Sequence, residues 1–497
     1  MVTKRSIAAV LLYTIALIPR SFQLEQTGVY PDEITWMVKG KEYLYALKNR
    51  DLTYLKNAWW NNPKDSYAIG LPLAVTNGAS HILFAGTGKF SLRIFSDIIA
   101  SRLPVVLIGS LLTPLMFIYF SKYISPKASF IASITYALNP ITIGLDRWVI
   151  HDSYLTLFSF LALISFNSSS TAKTIFPGFW LSLAFLTKPN GILPIFSWAT
   201  HTLFQPAGSK LSELLKNIVG FFTFTTVLWP SSWFLPIISV PLYIYNQTVL
   251  TRYGDPVPNY FLGQSTFYPN PTYYLFQFLF RTPEVIILFV FIGGLLLVKR
   301  LSKAESHKKS LAITGLTYII LFFVTISLTP QKGGIRYALP LLPWIYILSG
   351  WGIFQFVEKY TKRRFLKILA YFTFIFFSSY PISYHPNYYL YYNYLIGGPG
   401  KAQKYDLVGL CFGSKKALNF IDRNNLKGVV SVVGCSDTAT YHTSRNLTKD
   451  WNKADIVILE SSYIQQFPKA DSVVMTKKRE ILFTVKENGV TTATVYR

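Results

Sequence analysis

Gly28-Val29-Tyr30-Pro31-Asp32-Glu33-Ile34-Thr35-Trp36 is the stretch whose reading decides the rest of the chain. It follows an apolar run over residues 6–19 and places two adjacent carboxylates where the chain leaves that run. A carboxylate at such a boundary is costly unless it is paired or used, because desolvation penalises its charge. Two readings stand here. Asp32 can cap an ordinary helix with Glu33 in its first turn. Alternatively the pair does acid–base work, and the downstream chain brings cations and a substrate to it.

Composition sets the surroundings. The chain has 497 residues, 51% hydrophobic and 14% charged, with mean hydropathy +0.32. Soluble domains carry about 25% charged residues, so the deficit predicts an integral membrane protein. Thirty-nine Phe, 33 Tyr and 11 Trp fit long apolar spans bordered by aromatic belts. The net charge of +25 comes from Lys and Arg grouped between apolar runs. That placement reads as topology and attraction to anionic lipid, and no basic motif carries the stacking pattern of a nucleic-acid binder. The apolar run after Lys4-Arg5 has no small-residue cleavage site behind it and continues through Pro19-Arg20, which predicts a retained first helix.

Eleven apolar runs approach membrane-spanning length, within a range of 10–13: about 5–21, 101–121, 127–145, 149–167, 173–187, 190–206, 215–236, 282–299, 310–329, 335–356 and 365–382. The basic loops at Lys4/Arg5, Lys122/Lys127, Lys173, Lys210/Lys216, Lys299 to Lys309 and Lys359 to Arg364 alternate with them, which makes that face cytoplasmic. The opposite face then receives residues 22–100, 146–148, 188–189, 237–281, 330–334 and all after about 383. The unusual polar residues fall on this outer face.

The expected organisation is a polytopic α-helical membrane domain over 1–382, an aromatic linker over 383–399 and a small extracytoplasmic α/β domain over 400–497. The first outer loop, 22–100, reads as two interfacial helices at 34–49 and 67–84, joined through the aromatic turn Trp59-Trp60-Asn61-Asn62-Pro63. The second, 237–281, reads either as a lid or as a solvated connector. In the tail, Val429–Val433, Ile456–Glu460, Glu480–Lys486 and Val490–Tyr496 read as strands, and 414–424 as a helix. Glu487-Asn488-Gly489 forms a hairpin turn. Cys411 and Cys435 are the only cysteines, either disulfide-bonded or two buried thiols.

Three more outer-face features carry candidate chemistry. Arg147, His151 and Asp152 stand at the start of the fourth run. Lys188 lies between two short runs, on the side where lysine is disfavoured, and Arg336 lies at the mouth of the tenth. Two carboxylate sites and two or three cations on one side fit a phosphate held by Lys and Arg beside a carboxylate base. No metal-ligand spacing is legible among the six histidines, and no phosphate-binding or dinucleotide loop appears. No cofactor is therefore implied, and the need for a divalent cation stays open. An enzyme without nucleotide on this face would draw its activated group from a lipid carrier.

At this point the residues resemble the GT-C glycosyltransferases, in the branch of the protein O-mannosyltransferases and the aminoarabinose transferases of lipid A. Asp32-Glu33 resembles that family's first-loop acidic motif. Arg147 to Asp152, with Leu155 and Phe158, is similar to its entry into the fourth span. Leu183-Ala184-Phe185-Leu186-Thr187-Lys188-Pro189 and Arg336-Tyr337-Ala338-Leu339-Pro340-Leu341-Leu342-Pro343 resemble the segments whose cations face the carrier phosphate. Tyr384 to Gly398 also recurs in prokaryotic relatives. The resemblance covers roughly residues 1–400. His151, where an apolar residue is usual, and Asn61 to Tyr67, in place of a Pro-rich segment, depart from it.

The resemblance implies Asp32 as general base with Glu33 beside it, and Lys188 and Arg336 on the donor phosphate. Arg147, His151, Asp152 and Tyr337 would support the site or contact substrate. The partners are a polyprenyl-phosphate-linked sugar donor, an extracytoplasmic acceptor (protein, lipid or glycan) and the bilayer of the cell membrane. A polysaccharide ligase or polymerase, a lipid-linked-sugar flippase and a membrane-anchored binding module are the alternatives. A flippase would spread ionisable residues through the depth of its spans, and here they gather on one face.

Overall fold

Apolar runs dominate the first 380 residues, and the computed structural model folds them as helices. It describes residues 2–51, 53, 70–86, 91–166, 176–203, 210–233, 238, 240–241, 243–245, 257–329, 332–469 and 479–497. In chain order the helices are α1 (Val2–Ser21), α2 (Pro31–Asn49), α3 (Leu71–Phe84), α4 (Asp97–Phe120), α5 (Pro126–Ala137), α6 (Pro140–Leu145) and α7 (Asp152–Phe166). They continue with α8 (Phe176–Thr187), α9 (Leu193–Leu203), α10 (Lys210–Leu228), α11 (Tyr273–Arg281), α12 (Glu284–Leu301), α13 (Ser306–Leu328), α14 (Leu342–Tyr360) and α15 (Arg364–Ser379).

Four described stretches are long and apolar enough to cross a membrane: Asp97–Phe120, Lys308–Leu328, Gly334–Tyr360 and Arg364–Tyr384. The chain is thus a multi-pass membrane protein. Several of the eleven expected runs are interrupted, and the interruptions have local causes. The run 127–145 divides at Leu138-Asn139, where the Asn139 side chain accepts from the amides of Ile141 and Thr142 and Pro140 starts α6. The run 190–206 opens as a 3-10 turn, Pro189–Ile192, and 335–356 as another, Gly334–Leu341, which contains Pro340. These irregular segments lie where the candidate site residues are.

The first loop forms α2 and α3, which pack closely at glycines. A Cβ on Gly78 would come within 2.3 Å of the Gly40 carbonyl oxygen. The Trp59 to Tyr67 segment, and the expected start of the second helix at 67–69, lie outside the described residues. So does all of 246–256 in the second loop. Its later part, 257–281, forms the antiparallel hairpin β1 (Asn259–Phe261) and β2 (Gln264–Thr266), then α11. Phe261 bridges to Asp406, and the Ser265 hydroxyl donates to the Gln466 carbonyl at 2.6 Å, so this hairpin sits on the C-terminal part.

The tail carries a five-stranded sheet in the order β4-β3-β5-β7-β6, with β3 Val430–Val433, β4 Leu447–Thr448, β5 Ile456–Glu460, β6 Ile481–Glu487 and β7 Val490–Tyr496. β4, β3 and β5 run parallel, and β7 pairs antiparallel with both β5 and β6. Asn488 and Gly489 turn the last hairpin with φ of 49° and 82°, the left-handed pair that a two-residue turn of this kind requires. The two-residue strand β4 was not expected, being too short to show an alternating pattern. The helix Ser414–Arg423 buries Ala417, Leu418 and Ile421 against Val430, Val432, Ile456, Ile458 and Val495. Cys411 and Cys435 are disulfide-bonded, with Cα atoms 5.6 Å apart.

One buried acid makes this sheet sensitive to pH. Burial pushes the Glu460 carboxyl up to about 8, despite hydrogen bonds from the Ser414 hydroxyl and the Gly413 and Ser414 amides. In the unfolded chain the group ionises near about pH 4.3. Between these values the unfolded state gives up its proton before the folded state does, so stability falls as pH rises to about 8 and then levels off. Glu460→Gln removes this slope. Thermal unfolding should show the variant melting a few degrees above wild type at about pH 8 and close to it at about pH 4.

Candidate active site

Pro31 starts α2, and the next two residues point different ways because successive helical positions are rotated by about 100°. Glu33 turns inward and is 1% exposed. Arg102 of α4 grips it with two bonds, Nε to Oε1 at 2.9 Å and Nη2 to Oε2 at 2.7 Å. The amides of Tyr30 and Val149 each add a bond at 2.8 Å. Arg102 spends its remaining donors on the carbonyls of Leu24, Thr27 and Gly28. Four donors on one carboxylate offset its burial and tie the first loop to α4 and to the turn before α7.

Asp32 turns the other way and keeps 45% of its side chain exposed. The Arg336 Nη1 donates to its Oδ2 at 2.6 Å. Arg336 lies in the 3-10 segment before α14, its guanidinium 5.0 Å from the Tyr30 ring and 5.2 Å from the Tyr337 ring. Lys188, extended where α8 has ended, places its Nζ 3.4 Å from the Tyr337 ring centre and donates to Asp152 Oδ1 at 3.1 Å. Tyr337 thus holds both cations at its ring through cation–π attraction. Asp152, the first residue of α7, is fully buried, and His151 meets Trp36 edge-on at 5.2 Å.

Three polar atoms of this cluster have no partner among the described residues: Asp152 Oδ2, His151 Nδ1 and Arg336 Nε. Buried polar groups are nearly always paired, so these three atoms are available to a ligand. Lys188 and Arg336 place two cations at the Tyr337 ring, and Asp32 stands beside them as a half-exposed acceptor. The arrangement can hold a singly or doubly charged anion and take up a proton next to it.

The structure therefore brings Asp32, His151, Asp152, Lys188, Arg336 and Tyr337 together. It places Glu33 and Arg147 away from this cluster, in the backbone frame behind it. Glu33, expected beside Asp32 as a catalytic carboxylate, is enclosed by its four donors. Arg147, expected to support the site or contact substrate, is fully buried and donates to Thr27 Oγ1 and to the carbonyls of Pro19, Arg20, Phe22 and Gln23. It holds the end of α1. Arg102 was missed, although an arginine inside an apolar run is a legible signal. The buried pair of Arg20 Nε and Asp146 Oδ2 at 2.7 Å was missed too, as was Tyr30, which stacks on Trp148 at 4.8 Å. Among the described residues, no group of three or more His, Cys, Asp or Glu is placed to hold a metal.

No protein-family model matches this sequence, and no curated protein matches it. Solved structures do match its fold. ArnT from Cupriavidus metallidurans bound to undecaprenyl phosphate is 13% identical, with a TM-score of 0.52 over 98% of this chain and 97% of that one. The Archaeoglobus fulgidus oligosaccharyltransferase, in a complex with Zn and sulfate, is 12% identical, with a TM-score of 0.52 over 98% of this chain and 72% of that one. At such identities the likeness is one of architecture. This chain shares their fold.

The two neighbouring carboxylates should separate by experiment. Glu33→Ala strands Arg102 without its counter-ion and should cost about 3–5 kcal/mol of stability. Asp32→Asn, on a half-exposed group, should stay within about 0.5 kcal/mol of wild type. Unfolding in detergent micelles measures both, and equal losses would contradict the division of roles.

Proposed function

We propose that this protein is an integral-membrane glycosyltransferase. It moves a sugar from a polyprenyl-phosphate carrier to an acceptor on the extracytoplasmic side, with inversion at the anomeric carbon. The observation that carries this reading is the pairing of Lys188 and Arg336 at Tyr337, with half-exposed Asp32 held by Arg336. The fold shared with ArnT, whose structure contains undecaprenyl phosphate, supports a carrier of that chemical class.

In this mechanism the donor phosphate enters between Lys188 and Arg336, and Arg336 turns from Asp32 toward it. The acceptor oxygen then attacks the anomeric carbon as the bond from that carbon to the phosphate oxygen breaks. Asp32 takes the acceptor's proton as general base. The departing phosphate gains negative charge, which the two cations stabilise, the electrostatic contribution that usually dominates. Asp152 positions Lys188, and His151 lies where a sugar or acceptor hydroxyl would meet its unpartnered Nδ1. Glu33 and Arg147 act through the backbone they hold.

The same proposal includes eleven membrane crossings within residues 1–382, with the site and the 400–497 domain on the outer side. The positions of the basic loops support this topology. A ligase transferring a whole glycan would use the same donor chemistry and differ in its product.

Transfer from a radiolabelled polyprenyl-phosphate sugar in proteoliposomes tests the reading. Asp32→Asn should fold, bind the donor and lose about 10²–10⁴-fold in turnover. Lys188→Met and Arg336→Met should weaken donor binding as well as turnover. Full turnover in Asp32→Asn would remove it as base. Movement of the lipid between leaflets with no transfer by wild type would replace the transferase with a flippase.

A further inference from the structure

A cleft lies at the end of the helix bundle away from the Asp32 cluster. α4 runs 24 residues, roughly 36 Å at helical rise, from the Arg102 end to Phe120. Beyond Phe120, the ends of α4 and α12, the first part of α13 and the stretch of α14 from Trp344 to Gln355 line a cleft of about 650 Å³. Its walls include Leu297, Leu301, Leu311, Leu316, Trp344 and Trp351. Four cations, Lys122, Arg300, Lys303 and Lys308, also line it, and no carboxylate does.

Two of the basic loops that set the topology line this cleft. Lys122, Arg300 and Lys303 are exposed and have no carboxylate within ion-pair distance among the described residues. Lys308 pairs with Glu305 at 3.1 Å, but both are well exposed, where such a pair contributes little. Arg300 lies 5.8 Å from the Trp351 ring, so an aromatic wall holds one rim cation beside the opening. A rim of cations over an apolar cleft between membrane helices matches an anionic headgroup with its hydrocarbon chain below.

We propose that this cleft binds an anionic glycerophospholipid, with its phosphodiester on the Lys122, Arg300, Lys303 and Lys308 rim and an acyl chain along the Leu311, Leu316 and Trp344 wall. A zwitterionic lipid would set its own ammonium against this rim. The cleft volume lies within the usual range for one ligand-sized group, about 300–1,000 Å³. That suits an acyl chain better than a long polyprenyl chain. The site is separate from the Asp32 cluster and does not rest on the transferase reading.

The test uses the full chain in phosphatidylcholine vesicles doped with spin-labelled phosphatidylglycerol or spin-labelled phosphatidylcholine. Wild type should immobilise the anionic label several-fold more than the neutral one. Arg300→Gln with Lys303→Gln, on exposed residues, should reduce the anionic label to the neutral level. Ala312→Phe, which fills the cleft, should reduce it as well, with circular dichroism confirming that both variants fold. Equal immobilisation of the two labels in wild type overturns the proposal. So does loss in the charge variant with full retention in Ala312→Phe, which would mean attraction to a generally positive surface. Displacement of the label by polyprenyl phosphate, but not by unlabelled phosphatidylglycerol, assigns the cleft to the carrier and also overturns it.

Discussion

The buried pair of Arg102 and Glu33 is the interaction on which the candidate site depends. Both side chains are essentially sealed from solvent, with N–O separations of 2.7 and 2.9 Å. Sealing two charges costs several kcal/mol each unless the geometry is good and every remaining donor and acceptor is filled. Here they are filled by backbone: three carbonyls of the first loop on Arg102 and two amides on Glu33. The pair consequently fixes a backbone path, from the end of α1 to the start of α2, that carries little regular structure of its own.

Two other buried arginines repeat the device. Arg147 binds the carbonyls that end α1, and Arg20 joins Asp146 while donating to the Ala137 carbonyl and the Thr142 hydroxyl. Each gathers carbonyls left without helical partners at helix ends, a role that a planar guanidinium with five donors suits better than an ammonium. Helical rotation then does the rest. With Glu33 held inward, Asp32 is held outward toward Arg336. The two neighbours separate into a structural acid and an open one.

The C-terminal part buttresses this arrangement through aromatic rings. Phe412, beside the disulfide-bonded Cys411, stacks at 5.6 Å on Trp148, which stacks on Tyr30 next to Arg336. Gly28 allows the contact, since a Cβ there would meet the Cys411 carbonyl oxygen and the Phe412 ring at 3.2 Å. Below this, Arg281 joins Asp406 at 3.1 Å and lies against the rings of Tyr389 and Tyr392. The tail is thus built into the same polar and aromatic frame as the site.

Much of this was legible in the chain alone, because its physics is local. Apolar run length, the position of Lys and Arg between runs, and the Asn488-Gly489 turn each depend on neighbours in sequence. They predicted a polytopic helical protein with a small α/β tail. The residue types of the site were legible too, since a cation or carboxylate beside an apolar run is conspicuous wherever it falls. Which of them meet was a question for the tertiary structure. Asp32 and Arg336 are 304 positions apart and Lys188 and Asp152 are 36 apart. Only the packing of helices broken at Asn139-Pro140, Pro189 and Pro340 places them in one cluster. Sequence could not tell Asp32 from Glu33, because the difference lies in a partner 69 residues from Glu33 on another helix. Burial and pairing are properties of the whole fold, and they decided which charge is structural and which stays open.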